Sequence, residues 1–164
     1  MRKIFYLIAF LTLLIFINGC SGYKPIFASV DLGFEIADYK IKGNKNLGRK
    51  IYFRLYKLSK LNKNNTNTQS VYIIIETTKN NEPIAKNSAG KVLEYRVSLD
   101  TNVTIKDFIS DKEILNHNLS FSSSYKAQDQ YSETIKLEKQ NVENLLNKTY
   151  QDLLIKVTEN KLRK

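Results

Sequence analysis

Two hydrophobic periods alternate along this chain in an order that predicts an α+β fold: a two-layer sandwich, with a four-stranded, mostly antiparallel sheet and two helices on one face, ordered β-α-β-β-β-α. Three observations carry the prediction. Between Leu93 and Ile105 apolar and polar residues alternate almost without interruption, and a similar alternation runs from Leu115 to Tyr125. Two other segments, about 46–60 and from about Ser132 to the C-terminus, instead repeat their apolar residues at steps of three and four. Strand spacing and helix spacing thus occupy separate stretches, and short turn-forming clusters divide the strands.

The first strand is expected over Phe34–Ile41, with Ala37, Tyr39 and Ile41 on one face and Gly43 closing it. Next, Leu47, Ile51, Leu55 and Leu58 form a helical stripe with Lys45, Arg49, Lys50, Arg54 and Lys57 mostly between them; Asn44 or Asn46 supplies the N-cap. Ser59–Ser70 is almost wholly Lys, Asn, Thr, Gln and Ser, which bury too little to order themselves, so a surface loop follows. Val71–Ile75 is β-branched and apolar on both faces, as a central strand would be. Continuation toward Ile84 requires a bulge or bend at Asn80–Pro83, because Pro83 has no N–H to donate.

Asn87–Gly90 makes the next turn, and the third strand then presents Leu93, Tyr95, Val97, Leu99, Val103 and Ile105 on one side. Its other side carries Glu94, Arg96, Ser98, Asp100, Asn102 and Thr104. A turn at Ser110–Lys112 leads to a fourth strand, where Leu115, His117, Leu119, Phe121 and Tyr125 alternate with Asn116, Asn118, Ser120, Ser122 and Ser124. The final helix buries Val142, Leu146, Thr149, Leu153 and Val157, widened by Leu145 and Leu154, with Ser132 or Asp129 as its cap and lysines in its last turns.

Ahead of this domain stands a different kind of segment. Arg2 and Lys3 precede an apolar stretch of fourteen residues, Ile4–Ile17, and then Asn18-Gly19-Cys20. This is the three-part layout of a secretory signal, and its apolar stretch is short of the roughly 20 residues a membrane-spanning helix needs. Ile17-Asn18-Gly19-Cys20 resembles the bacterial lipobox, with an aliphatic residue three before the cysteine and a small one directly before it; Asn18 departs from the usual small residue. The resemblance implies cleavage before Cys20 and acylation of its sulfur and new amino group; an uncleaved signal anchor is the alternative. Cys20 is the single cysteine, so neither an intramolecular disulfide nor a cysteine metal cluster can form. The expected organisation is a signal peptide over 1–19, a lipid-anchored tether over 20–33 and an α+β domain over 34–164.

Cleavage would remove Arg2 and Lys3 and take the formal net charge from +10 to +8 over 145 residues, a length suited to one domain. For an exported chain, that basic balance points to anionic lipid or to the phosphates and acidic sugars of lipopolysaccharide rather than to nucleic acid. A lysine- and asparagine-rich compositional habit is the competing explanation.

After the cysteine the chain reads Ser21-Gly22-Tyr23-Lys24-Pro25-Ile26-Phe27. This run is similar to the Cys-Gly-Phe-Arg-Pro-Leu-Tyr motif of the lipopolysaccharide-assembly lipoprotein family LptE in its alphaproteobacterial form, with Ser21 as an extra residue. The resemblance extends through the helix beginning near Gly48-Arg49, the Leu93-Glu94-Tyr95-Arg96-Val97 strand and the serine-rich strand ending at Tyr125. It implies a non-enzymatic outer-membrane lipoprotein, without cofactor, that partners and plugs a large LptD-type β-barrel and assists lipopolysaccharide delivery. Ser21, where a retention aspartate would otherwise stand, agrees with the outer membrane.

Arg96, central on the polar face of the best-patterned strand, is the leading candidate for a lipid A phosphate contact, with Lys91 and Lys106 as weaker ones. The competing role for Arg96 is pairing with Glu94, Asp100 or a neighbour across the sheet. His117, the sole histidine, is expected as a satisfied core or edge residue rather than a metal ligand. Serines 120, 122, 123 and 124 lack a nucleophile elbow, and no glycine-rich phosphate loop occurs. A generic lipid- or ligand-binding lipoprotein, with an apolar pocket between sheet and helices, is the alternative function. Metabolic labelling with palmitate is expected to mark the wild-type chain and not Cys20→Ala, which should also leave the membrane fraction; equal labelling of both would contradict the lipobox reading.

Overall fold

A computed structural model describes residues 32–61 and 68–162. Four strands and two helices follow in the expected order: β1 (Phe34–Gly43), α1 (Lys45–Leu61), β2 (Gln69–Lys86), β3 (Val92–Asp107), β4 (Glu113–Lys126) and α2 (Tyr131–Leu162). The strands lie side by side as β1-β2-β3-β4. β1 pairs with β2 in parallel because α1 carries the chain back to the end where β1 began; tight turns make the other two pairings antiparallel.

The core is the sheet face made by Val71, Ile73, Ile75 and Thr77 of β2 and by Val97, Leu99, Thr101, Val103 and Ile105 of β3, all buried. Register aligns these side chains into rows, with Ile73 opposite Ile105, Ile75 opposite Val103 and Thr77 opposite Thr101. Leu47, Ile51, Leu55 and Leu58 of α1, and Val142, Leu145, Leu146, Thr149, Leu153, Leu154 and Val157 of α2, complete it. Each such aliphatic side chain contributes ~1.5–3 kcal/mol on burial, so this layer dominates the stability. Thr149 stays in the stripe because its hydroxyl donates to the Leu145 carbonyl at 2.9 Å.

Several expectations change at the edges of elements. In β1 the buried residues are Phe34 and Ile36, and Ala37 is exposed. A bulge between Ile36 and Asp38 adds one residue to the strand and reverses the alternation, after which Tyr39 and Ile41 turn back to the helix side. Tyr39 there stacks on Tyr52 of α1 with ring centroids 3.9 Å apart. Asn44, not Asn46, caps α1: its Oδ1 accepts from the Leu47 N–H at 3.2 Å.

At α2 neither Ser132 nor Asp129 is the cap. The Gln130 carbonyl accepts from the N–H groups of Glu133 and Thr134 at 3.1 and 3.3 Å, while Thr134 Oγ1 accepts from the Gln128 N–H at 2.8 Å, so the first turn is closed from within. The β2 irregularity falls at Pro83–Ala85 and Ala85–Lys86, just beyond the expected bend. Leu32, in the stretch read as tether, is 3% exposed and belongs to the core. The expected loop also narrows, since Ser59 is buried in the last turns of α1 and Gln69 already belongs to β2. The signal segment, Cys20 and most of the tether lie outside the described residues.

Gly43 ends β1 at φ +66, and a Cβ there would stand 2.3 Å from the Thr77 carbonyl oxygen, the same oxygen that accepts from the Asn44 N–H. Gly90 has φ +81 but open space around it. Gly90→Ala is therefore expected to cost about 1–2 kcal/mol for the left-handed conformation alone. Gly43→Ala should cost distinctly more, because the β1–α1 junction must also open; comparison of urea midpoints checks the order.

Candidate functional site

Both helices cover the core side, so the opposite face of the sheet is uncovered by any described element. Strand alternation and register set its composition in rows: Glu82, Arg96 and Ser124; Asn80, Ser98 and Ser122; Thr78, Asp100 and Ser120; Lys42, Glu76, Asn102 and Asn118. Most of these side chains are short. Asn102 donates to Asn116 and Asn118 at 3.1 and 3.4 Å, Thr104 to Asn102 at 3.3 Å, and Ser120 to Asp100. Side-chain hydrogen bonds thus link the Asp100–Thr104 stretch of β3 internally and to Asn116, Asn118 and Ser120 of β4.

Arg96 is exposed within this face, flanked across the strands by Glu82 and Ser124. Among the described residues its guanidinium has neither hydrogen-bond nor ion-pair partner, so the pairing considered for it with Glu94 or Asp100 is not formed. The weaker candidates are engaged. Lys91 Nζ lies 3.2 Å from Asp129 Oδ1, and Lys106 Nζ lies 3.1 Å from both carboxylate oxygens of Asp111.

Nor do the three converge. Lys106 stands ten residues beyond Arg96 on β3, roughly 33 Å at ~3.3 Å per residue, and Lys91 precedes the strand at its other end. One phosphate could touch only one of them. A ligand bridging Arg96 and Lys106 would have to extend along the sheet.

His117 faces α2, with Nε2 3.9 Å from Asp152 Oδ2. On the same side Ser123 donates to Asn141 at 2.6 Å, and Tyr125 and Asn81 exchange hydrogen bonds at 2.9 and 3.1 Å. Burial pushes the Tyr125 hydroxyl up from its ordinary pKa, which keeps it a neutral partner for Asn81. Polar bridges also tie the rims of the sandwich: Lys50 to Glu143, Arg54 to Asn147 at 2.8 Å and Lys79 to Glu138 at 2.6 Å. Between the layers an apolar cavity of about 150 Å³ opens at one end, lined by Leu32, Phe34, Ile105, Leu115 and Val157 among others.

Two exposed apolar features escaped the sequence reading. Exposed Tyr39, Phe53 and Tyr56 cluster around the buried Tyr52 where α1 meets β1, with Lys60 Nζ 5.4 Å from the Tyr56 ring centroid. The β3–β4 turn leaves Phe108 51% and Ile109 92% exposed. That turn is fastened by Asp107, whose carboxylate accepts from Gln69 Nε2 at 2.7 Å, from the Ile109 N–H at 3.1 Å, and from the Ser110 N–H and Oγ, each at 2.8 Å. The Gln69 bond, followed by those from Ser110, holds the Asp107 carboxyl well below the usual carboxylate range. A signal was present: Phe108-Ile109 occupies turn positions where small polar residues are usual.

No family model matches this chain, and no curated protein matches it in sequence. Solved structures do share its fold. The rare lipoprotein B from Shewanella oneidensis superposes with a TM-score of 0.54 at 11% identity, over 77% of this chain and 97% of that one. A minor lipoprotein from Acinetobacter baumannii gives 0.57 at 13%, over 78% and 93%. A lipoprotein from Caulobacter crescentus gives 0.53 at 10%, over 81% and 93%. The architecture is one that bacterial lipoproteins use, and the likeness spans nearly the whole of each of them.

Proposed function

We propose that this chain is a lipid-anchored lipoprotein of the Gram-negative outer membrane, facing the periplasm or the lumen of an LptD-type β-barrel, which it partners and plugs while assisting lipopolysaccharide transport. The observation that carries this reading is the bare polar sheet face. Strands of 10 to 18 residues expose Ser, Asn and Thr interspersed with the charged Lys42, Glu76, Glu82, Arg96 and Asp100, with Tyr72 and Ile74 half-buried at one end, while both helices lie behind. A barrel interior is polar and wet, so a plug needs a surface that stays hydrated when free and accepts hydrogen bonds when docked. The lipobox-like Cys20 and the fold shared with bacterial lipoproteins support attachment to a membrane. In this reading the chain acts by contact and performs no bond-making chemistry.

Arg96 supplies the phosphate-recognising element. Its fork of donors is unengaged, so no bond of its own must be broken for a lipid A phosphate to bind. The second reading, a generic ligand-binding lipoprotein, draws on the apolar cavity between the layers. At about 150 Å³ that cavity is well below the ~300–1,000 Å³ of ordinary small-molecule sites.

Affinity purification from native membranes is expected to bring down a large β-barrel; recovery of the chain alone would favour the ligand-binding reading. Arg96→Glu should fold normally, since the residue is exposed and unpaired, yet lower lipopolysaccharide affinity about tenfold or more, as loss of a charge-assisted hydrogen bond implies. Unchanged affinity in the folded variant would remove Arg96 from the binding surface.

A further inference from the structure

We infer that the Phe108–Ile109 turn is a second, apolar point of contact with the lipid bilayer, inserted at the headgroup–acyl boundary beside the N-terminal anchor. This rests on the lipid-tether reading above and adds to it a defined orientation of the folded domain.

The turn is built to hold apolar side chains in water. Asp107 closes it with three acceptor bonds to Ile109 and Ser110, Asp111 adopts φ 55, and the Phe108 N–H donates to the Ser70 carbonyl at 3.0 Å. Ile109, at 92%, is the most exposed of the large apolar residues described. A flexible loop would fold such a residue inward; this one is fastened with it pointing out. Because the turn is already ordered, contact with a lipid surface incurs little further conformational cost.

Its position along the sheet is the second argument. Phe108 and Asp107 are bonded to Ser70 and Gln69, and Gln69 pairs with Phe34, the first residue of β1. The turn therefore lies at the end of the sandwich where the chain arrives from Cys20. Leu32 is twelve residue steps from Cys20, a span of at most ~43 Å fully extended. Acyl chains on Cys20 would hold this end within that reach of the bilayer, and the Asn87–Gly90 end lies a sheet length farther along the chain's path.

Charge does not drive the contact. Lys106 and Lys112 flank the turn, but Asp107 and Asp111 balance them, so insertion should proceed on zwitterionic as well as anionic lipid. A lipid surface is the favoured occupant because this end of the domain carries the tether to Cys20, and the exposed Lys112 beside the protruding pair can stay at headgroup level.

The chain contains no tryptophan, so one introduced indole reports alone. The experiment reconstitutes the full lipidated protein carrying Ile109→Trp, or Tyr131→Trp as control, into phosphatidylethanolamine–phosphatidylglycerol vesicles with and without tail-brominated lipid. Tyr131 is 75% exposed and begins α2, near the opposite end of the sheet. The expected result is blue-shifted emission quenched by bromine for Ile109→Trp, with water-like, unquenched emission for Tyr131→Trp. Water-like emission from both variants while the protein floats with the vesicles would overturn the inference and leave the tether standing. Equal quenching of both would overturn it too, since the domain would then lie without preference for the turn. Failure of the processed protein to float would sink the tether reading and this inference together.

Discussion

The structure depends on burying one face of β2 and β3 beneath two helices. Val71, Ile73, Ile75, Val97, Leu99, Val103 and Ile105 are each at most 1% exposed, and the helices bury Ile51, Leu55, Leu145, Leu146, Leu153 and Leu154 to the same degree. Because side chains alternate along a strand, commitment of this set to the core sends Glu76, Ser98, Asp100, Asn102 and Thr104 to the other side, with no freedom to change faces short of slipping register. The contact surface proposed here is thus the complement of the core. Selection could vary its chemistry residue by residue without touching what holds the domain together.

Polar contacts refine this arrangement without founding it. The ion pairs Lys50–Glu143 and Lys60–Glu35 sit at exposed rims, where such pairs contribute little in water. More telling are the half-buried contacts of the far hairpin, Lys79 with Glu138 of α2 and Asn81 with Tyr125 of β4. They brace the β2–β3 hairpin where apolar cover thins out, since beyond Val97 Leu93 and Ile84 are already exposed at 46% and 37%. At the opposite end the Asp107 turn performs the corresponding task between β3 and β4, and does so while presenting Phe108 and Ile109 outward.

Element types and the polar face were legible in the sequence because both are periodic. The alternation around Val97–Ile105 and the stripe from Val142 to Val157 each repeat often enough to survive local exceptions. The exceptions were matters of one or two hydrogen bonds. A single added residue at Ala37 reversed β1, and nothing in Phe34–Gly43 marks a bulge, because every residue there tolerates either phase. Gln130 displaced Ser132 and Asp129 as the start of α2 because Thr134 reached back to Gln128, a local bond that competes with conventional capping. Arg96 was recognisable from its place on β3; its lack of a partner was not, since Glu82 comes opposite only through the long β2–β3 register. Likewise the outward Phe108–Ile109 pair depends on Gln69, distant in sequence, anchoring Asp107.

The proposed function requires that the uncovered side of the sheet, and not the helix layer, meet another macromolecule. Site-specific photocrosslinking in native membranes tests it most directly, with the photoreactive residue placed at Ser122 on the sheet face or at Phe53, 60% exposed on α1. A crosslink to a large membrane-embedded protein is expected from Ser122 and none from Phe53. A crosslink from Phe53 alone would contradict it.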